Sequence, residues 1–280
     1  MTSKKLKKVF ILTFTALLLI ASLFVVYSTS FLKTTKYTVS DSNLPSSFSG
    51  FRIAQVSDLH NASFGKDNSR LIERLKKAQP DIIVITGDLV DSTHTDIDAA
   101  ENFIRCAVEI APVYYVSGNH EAWLDEDDYN ELKEKLVASD AVLLENKSIA
   151  VERGGEHITL AGIDDPDISD GYGFLSALDE LTAECEGYTV LLSHRPEYFD
   201  TYINTDVSLV LSGHTHAGQL RLPFLGAIFA PGQGLLPEND KGLFRQNDTV
   251  MIVSAGLGNS IIPLRLFNNP ELVIIELSKA

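Results

Sequence analysis

From residue 51 onward, short runs that are apolar at nearly every position alternate with stretches whose apolar positions recur every three or four residues. The first kind reads as buried strand and the second as amphipathic helix, since strand side chains alternate faces and helical ones return after about 3.6 residues. The pattern predicts strands over 51–57, 81–86 and 113–117. Helices are predicted over 68–78, 96–110 and 127–138, the last begun by an acidic cap. Such alternation predicts a mostly parallel sheet with crossover helices. The second half is strand-rich: 148–152 and 157–163 flank Gly154-Gly155 as a hairpin, and 188–193, 207–212, 249–254 and 272–277 follow. No repeat, low-complexity tract or linker interrupts residues 51–280, so one two-sheet α/β domain is the economical reading.

The N-terminus has a different pattern. Lys4-Lys5-Leu6-Lys7-Lys8 precedes an uncharged, mostly apolar run over residues 9–32. As a helix this run is roughly 36 Å long, enough to cross a bilayer. A cleaved signal peptide has a shorter apolar core of about 7–15 residues. Val26-Tyr27-Ser28 leaves cleavage open as the alternative, but an uncleaved anchor is the expectation. Four lysines before the span and two after it orient residues 1–8 to the cytoplasm and the remainder outside. No cysteine lies near residues 20–30, which excludes a lipoprotein. Residues 33–50 are expected as a linker, and the Ser-rich stretch 37–50 with Pro45 as a linker or edge strand. Either way the domain over 51–280 stays close to the membrane.

Charge narrows the partners. The chain of 280 residues carries a net −15, and residues 38–280 hold 17 basic against 38 acidic groups, a net of −21. This balance repels nucleic acid, so no nucleic-acid partner is expected. An anionic substrate would need bound divalent cations to attract it. The two cysteines, Cys106 and Cys185, have no metal-type spacing and define no disulfide framework. Oligomeric state is not legible.

The candidate chemistry lies where apolar runs stop. Residues 53–57 lead into Asp58-Leu59-His60, and 82–85 lead into Gly87-Asp88. Residues 113–116 lead into Gly118-Asn119-His120-Glu121, 190–193 into His194, and 209–212 into Gly213-His214-Thr215-His216. Singly, each has an ordinary reading: Asp58 and Asp88 suit turns or caps, Gly118-Asn119 a tight turn, His194 a helix start before Pro196, and His-x-His a polar turn. Together they place carboxylates, an amide oxygen and imidazoles at the tips of several strands, where open α/β sheets form their ligand crevice. That donor mixture suits Mn²⁺, Fe or Zn²⁺ better than Ca²⁺ or Mg²⁺ and lacks the thiolates of structural zinc. Seven ligands suit two metals sharing a carboxylate.

In order, these motifs resemble the signature of the calcineurin-like metallophosphoesterases over about residues 51–265. The resemblance implies a four-layer α-β-β-α sandwich preceded here by one transmembrane helix, and a dinuclear phosphohydrolase. It implies one ion, most suitably Mn²⁺, held by Asp58, His60, Asp88 and His216. The second would be held by Asp88, Asn119, His194 and His214, with Asp88 bridging. It implies that His120 stabilises or protonates the leaving oxygen and that Asp91 orients His120, although Asp91 also suits an Asx turn.

The protein Ser/Thr phosphatase branch has an Arg where Ser92 stands, so its phosphate clamp is missing here. The lysine-rich anchor, Gly162-Ile163-Asp164-Asp165-Pro166, Pro231-Gly232-Gln233-Gly234 and Gly256-Leu257-Gly258-Asn259-Ser260 are similar to a membrane-anchored bacterial branch. Some members of that branch cleave the pyrophosphate of UDP-diacylglucosamine and others are envelope phosphoesterases. The expected substrate is a small phosphorylated molecule, lipid-linked or a nucleotide sugar. A cyclic nucleotide or soluble phosphoester is the alternative, and a non-catalytic metal-stabilised binding protein a more distant one. Two apolar segments, 223–229 and 261–264, follow metal-site motifs and fit either an amphiphilic substrate or a filled sheet edge. His94 and His157 are expected at the surface, Arg195 at a helix start or a phosphate, and Asp164 and Asp165 in a turn or lining the site.

Overall fold

The computed structural model describes residues 3–169, 171–218, 220–222, 224–259 and 264–280, so Pro223 and residues 260–263 of the apolar and glycine-rich segments lie outside the described residues. Two six-stranded sheets pack face to face. The first comprises β1 (Lys33–Asp41), β2 (Arg52–Val56), β3 (Ile82–Thr86), β4 (Val113–Val116), β5 (Val142–Leu143) and the C-terminal β16 (Glu271–Lys279), in spatial order β1-β16-β2-β3-β4-β5. The second comprises β6 (Lys147–Arg153), β7 (Glu156–Gly162), β8 (Thr189–Leu192), β9 (Leu209–Ser212), β14 (Gly242–Gln246) and β15 (Thr249–Val253), in order β14-β15-β9-β8-β7-β6. Between β9 and β14 lie two small hairpins, β10 (Arg221–Leu222) with β11 (Gly226–Ala227) and β12 (Phe229–Ala230) with β13 (Gly234–Leu235). The predicted strands and helices form, with ends differing by one or two residues.

Three apolar layers explain the uninterrupted runs. Along β3, Ile82 and Val84 face the second sheet, while Ile83 and Ile85 face α2 (Ser69–Ala78), α3 (Ile97–Val108) and α5 (Glu126–Ala138). Along β9, Leu209 and Leu211 fill the same inter-sheet layer, and Val210 packs with Phe174 and Leu178 of α6 (Gly171–Ala183). Strands covered on both faces need no polar alternation. The result is the expected α-β-β-α order. β2 to β5 pair in parallel, as do β7, β8, β9 and β15, so their carboxyl ends gather at one edge.

The helix α1 (Ser3–Ser30) contains Phe10–Ser30, the only segment among the described residues long and apolar enough to cross a membrane. Residues 33–36 of the expected linker are instead sheet, and for the start of 37–50 the edge-strand reading holds, since β1 lies at the edge of its sheet. β1 pairs in parallel with β16 from Lys33↔Glu271 to Asp41↔Lys279, and only Phe31 and the fully buried Leu32 separate it from α1. The β-branched Thr34, Thr35, Thr38 and Val39 favour this extended form, and Val39 is buried in the core. The end of α1 is also fastened to the domain. Arg265 N donates to Thr29 Oγ1 at 3.2 Å, Asn269 Nδ2 to the Tyr27 carbonyl at 3.1 Å, and Phe24 packs on Phe267 at 4.7 Å between centroids.

Candidate metal centre

The loops after β2, β3, β4, β8 and β9 meet at the carboxyl edge of the two sheets. Gln55 Nε2 ties the sheets together there, donating to the Ser212 carbonyl at 2.9 Å and to Thr86 Oγ1 at 3.1 Å. The approach is too close for side chains at two of the loop glycines. A Cβ on Gly213 would strike Ser57 Oγ and Asp58 Oδ2, and one on Gly118 would strike Asp88 Oδ1. Asp58, His60, Asp88 and His216 all have left-handed backbones, with φ of 50°, 46°, 53° and 47°. Such conformations are strained for residues with a Cβ and persist where surrounding contacts impose them, commonly at functional sites.

All seven predicted ligands come together and all are buried. Asp58, His60, Asp88 and His216 form one group of converging donor atoms, and Asp88, His194 and His214 a second. His60 Nε2 and His216 Nε2 are 3.0 Å apart, with Asp88 Oδ2 3.5 Å from the first and Asp58 Oδ1 3.5 Å from the second. In the other group His194 Nε2 lies 3.3 Å from Asp88 Oδ2 and 3.1 Å from Asn119 Oδ1. Asp88 is the carboxylate common to both. Its Oδ1 accepts the His120 amide at 2.9 Å, and Asp58 Oδ1 accepts that of His214 at 2.9 Å, which fixes both side chains. His194 Nδ1 bonds the Thr86 carbonyl at 2.8 Å, the outer partner that turns Nε2 toward the group.

The electrostatics match this donor set. Burial lowers His60 to about 4 and carries His214 and His216 well below the ordinary imidazole value. Those rings are therefore neutral at neutral pH, the form a metal requires. Burial pushes the Asp58 carboxyl up to about 6, Asp88 adding to the rise against the opposing pull of His194. Burial also opposes charge on Asp88 and His194, yet each is the other's counter-charge. Asp88 is held well below the carboxylate range and His194 is raised to about 10. The protein alone thus uses His194 as the cation beside Asp88, a place that suits a divalent ion. His60 Nδ1 is buried with no hydrogen-bond partner. Carboxylates, imidazoles and one amide oxygen without enough protein donors between them fit two divalent cations.

His120 and Asp91 form, with His60, a third close trio, but their contacts differ from the expectation. His120 Nδ1 accepts the Ser92 amide at 3.1 Å, whereas Asp91 Oδ2 is 3.9 Å from it, beyond hydrogen-bond length. Asp91 Oδ1 instead closes an Asx turn, accepting from Thr93 N at 2.8 Å and His94 N at 3.1 Å. The orienting contact on His120 therefore comes from Ser92. Because an amide N–H occupies Nδ1, the neutral His120 ring carries its proton on Nε2. The exposed Trp123 packs beside it, 5.0 Å between centroids, with its Nε1 bonded to Asp167 Oδ2 at 3.0 Å.

The chain marked the positions of Glu121, Arg195, Asp164 and Asp165 but not their supporting contacts, and it gave no signal for Arg265. Glu121, in α4 (Asn119–Ala122), is completely buried and accepts the amides of Asp88 at 2.8 Å, Val90 at 3.1 Å and Gly118 at 2.7 Å, locking two ligand loops together. Burial and neighbouring Asp88 push its carboxyl up to about 7. Glu121→Ala strands three buried amides, at about 1–3 kcal/mol each. Thermal or denaturant unfolding should show a loss of about 3 kcal/mol or more; a loss under about 1 kcal/mol would mean that these amides find other acceptors. Arg195 grips Asp165 through Nε at 2.6 Å and Nη2 at 2.8 Å, and its Nη1 lies 3.2 Å from His214 Nε2. It therefore braces His214. Arg265, fully buried, donates to the Ala255 carbonyl at 2.8 Å and reaches to 3.4 Å from His216 Nδ1. Asp164 bonds Ser117 and Asn146. His94 and His157 are exposed as expected, and both cysteines are free.

The profile of the calcineurin-like phosphoesterases matches residues 51–218. Over 256 residues the chain is 30% identical to the metallophosphoesterase YkuE of Bacillus subtilis, covering 88% of this chain and 85% of that protein. Over 249 residues it is 31% identical to a transmembrane protein with metallophosphoesterase domain of Danio rerio, covering 85% of this chain and 55% of that longer protein. Among solved structures, phosphopantetheinyl hydrolase of Mycobacterium tuberculosis superposes with a TM-score of 0.50 at 12% identity, over 75% of this chain and 91% of that one, a likeness of fold alone.

Proposed function

From the premise that this chain belongs to the calcineurin-like phosphoesterase family, we propose that it is a dinuclear phosphohydrolase working at the outer, membrane-proximal face on a phosphoester or pyrophosphate. The family makes it a metal-dependent phosphoester hydrolase. What carries the finer reading is the convergence of two buried donor groups on one carboxylate, Asp88. Asp58, His60, Asp88 and His216 would hold one ion, and Asp88, Asn119, His194 and His214 the other. Mn²⁺ suits this mixture, with Zn²⁺ or Fe as alternatives. When bound, such ions polarise phosphoryl oxygens and lower the pKa of the attacking water.

The chain's own residues do the rest. Asp88 and Asp58, pinned by backbone amides, keep negative charge at fixed positions. His194, held by the Thr86 carbonyl, and His214, braced by Arg195, set the far side of the site. His120, its Nδ1 engaged by Ser92, presents Nε2–H to the leaving oxygen and stabilises the charge growing there. Residues 9–32 would anchor the protein, with residues 33–280 as the catalytic domain outside the cytoplasm. The lysine bias and the apolar helix support that topology.

The test is a hydrolysis panel of monoesters, diesters and lipid-linked pyrophosphates on the full-length protein. Chelation should abolish turnover and added Mn²⁺ restore it. Undiminished hydrolysis in a protein stripped of metal would overturn the reading.

A further inference from the structure

Most exposed apolar side chains of the folded domain are scattered, as on any protein surface. One group is not. Phe224 is 110% exposed, Leu235 76% and Leu225 60%, and Leu236, Phe229 and Phe267 are about as open. Backbone contacts tie them into one platform. Phe229 pairs across its hairpin with Leu235, Leu236 N bonds the Ile228 carbonyl at 3.0 Å, and Arg221 N bonds the Leu266 carbonyl at 3.0 Å. Residues 219–236 and 257–268 contain no acid, in a chain whose residues 38–280 total −21. Arg221 is neutralised by Asp240 at 2.6 Å. The face is thus apolar and free of the charge that repels anionic lipid elsewhere.

Two connections say what covers it. Phe267 packs on Phe24 of α1, and Arg265 and Asn269 fasten the last turn of that helix. The platform therefore continues the surface of the membrane helix. It also borders the metal centre, since Asn268 Nδ2 donates to the His216 carbonyl at 2.7 Å and Gly218 lies against Ala227 and Phe229.

We infer that residues 220–222, 224–236 and 264–267 dock into the lipid interface beside α1 and seat the metal centre over the phosphorylated or pyrophosphorylated headgroup of a lipid. This deepens the proposed function and rests on its reading of α1 as an anchor and of the metal centre as hydrolytic. The fixed helix end and the platform act as two adjoining contacts with one membrane, so the site faces the bilayer rather than the bulk.

The test uses full-length protein in phosphatidylglycerol–phosphatidylcholine vesicles with brominated acyl chains. Leu235→Trp and Phe224→Trp should add fluorescence that the bromines quench. Asn247→Trp, in the turn between β14 and β15 at the opposite end of the sheet, should add none that is quenched. Equal quenching of Leu235→Trp and Asn247→Trp overturns the inference. So does a dimer in detergent that the platform substitutions split while quenching stays at the control level, since a second copy would then cover the face. In kinetics, Phe224→Ser with Leu235→Ser should cut kcat/KM on diacylglycerol pyrophosphate at least tenfold and spare soluble bis(p-nitrophenyl) phosphate. Equal effects on both substrates count against it. Quenching at the platform in a protein that hydrolyses neither would uphold the docking face and overturn the hydrolase assignment instead.

Discussion

Replacing His120 with alanine should lower kcat by roughly 10²–10⁴-fold, the usual contribution of a positioned proton donor, while the purified protein keeps its full metal content. His120 belongs to a trio with His60 and Asp91 that itself has metal-ligand spacing, so a different division of roles is geometrically available. One contact argues against it: Ser92 already occupies His120 Nδ1 at 3.1 Å, the ring atom that faces Asp91 Oδ2. A ring anchored at Nδ1 with its proton on Nε2 is built to donate rather than to ligate. Metal analysis of the purified variant alongside steady-state kinetics separates the two. If metal disappears together with activity, His120 is a ligand and the assignment is wrong.

Asp88→Asn should be the most damaging of the ligand substitutions. Its Oδ2 is the carboxylate oxygen near both His60, at 3.5 Å, and His194, at 3.3 Å, so one change weakens both groups. The near-isosteric amide keeps the volume but loses the negative charge. Both ions and all measurable turnover should be lost, whereas Asn119→Ala touches one group only and should retain the ion held by Asp58, His60 and His216. Metal stoichiometry by mass spectrometry decides it: equal losses in the two variants would remove Asp88 from the bridging position. A folding control matters here, since His194 loses the counter-charge that raises it to about 10. Near-ultraviolet circular dichroism of the variant supplies that control.

The sequence by itself marked most of the long strands and helices and the candidate ligands, and for a local reason. A strand buried on both faces must be apolar throughout, as in Ile82-Ile83-Val84-Ile85, so polar residues just beyond it stand out. Asp58, His60, Asp88, Asn119, His194, His214 and His216 were legible because each sits directly after such a run, and parallel strands carry those ends to one edge. What the chain could not announce depends on pairing between distant segments. β1 is a strand because β16, more than two hundred residues away, offers it a parallel edge, and nothing within residues 33–50 reveals that partner. Ser92 rather than Asp91 orients His120 because the turn after β3 aims an amide at Nδ1, a matter of backbone direction. Glu121 and Arg265, charged residues that ordinarily read as surface, are wholly buried since three loop amides and a carbonyl cluster at the ligand loops need partners there. Only the folded backbone creates those unmet groups, so only the tertiary structure could decide where such side chains belong.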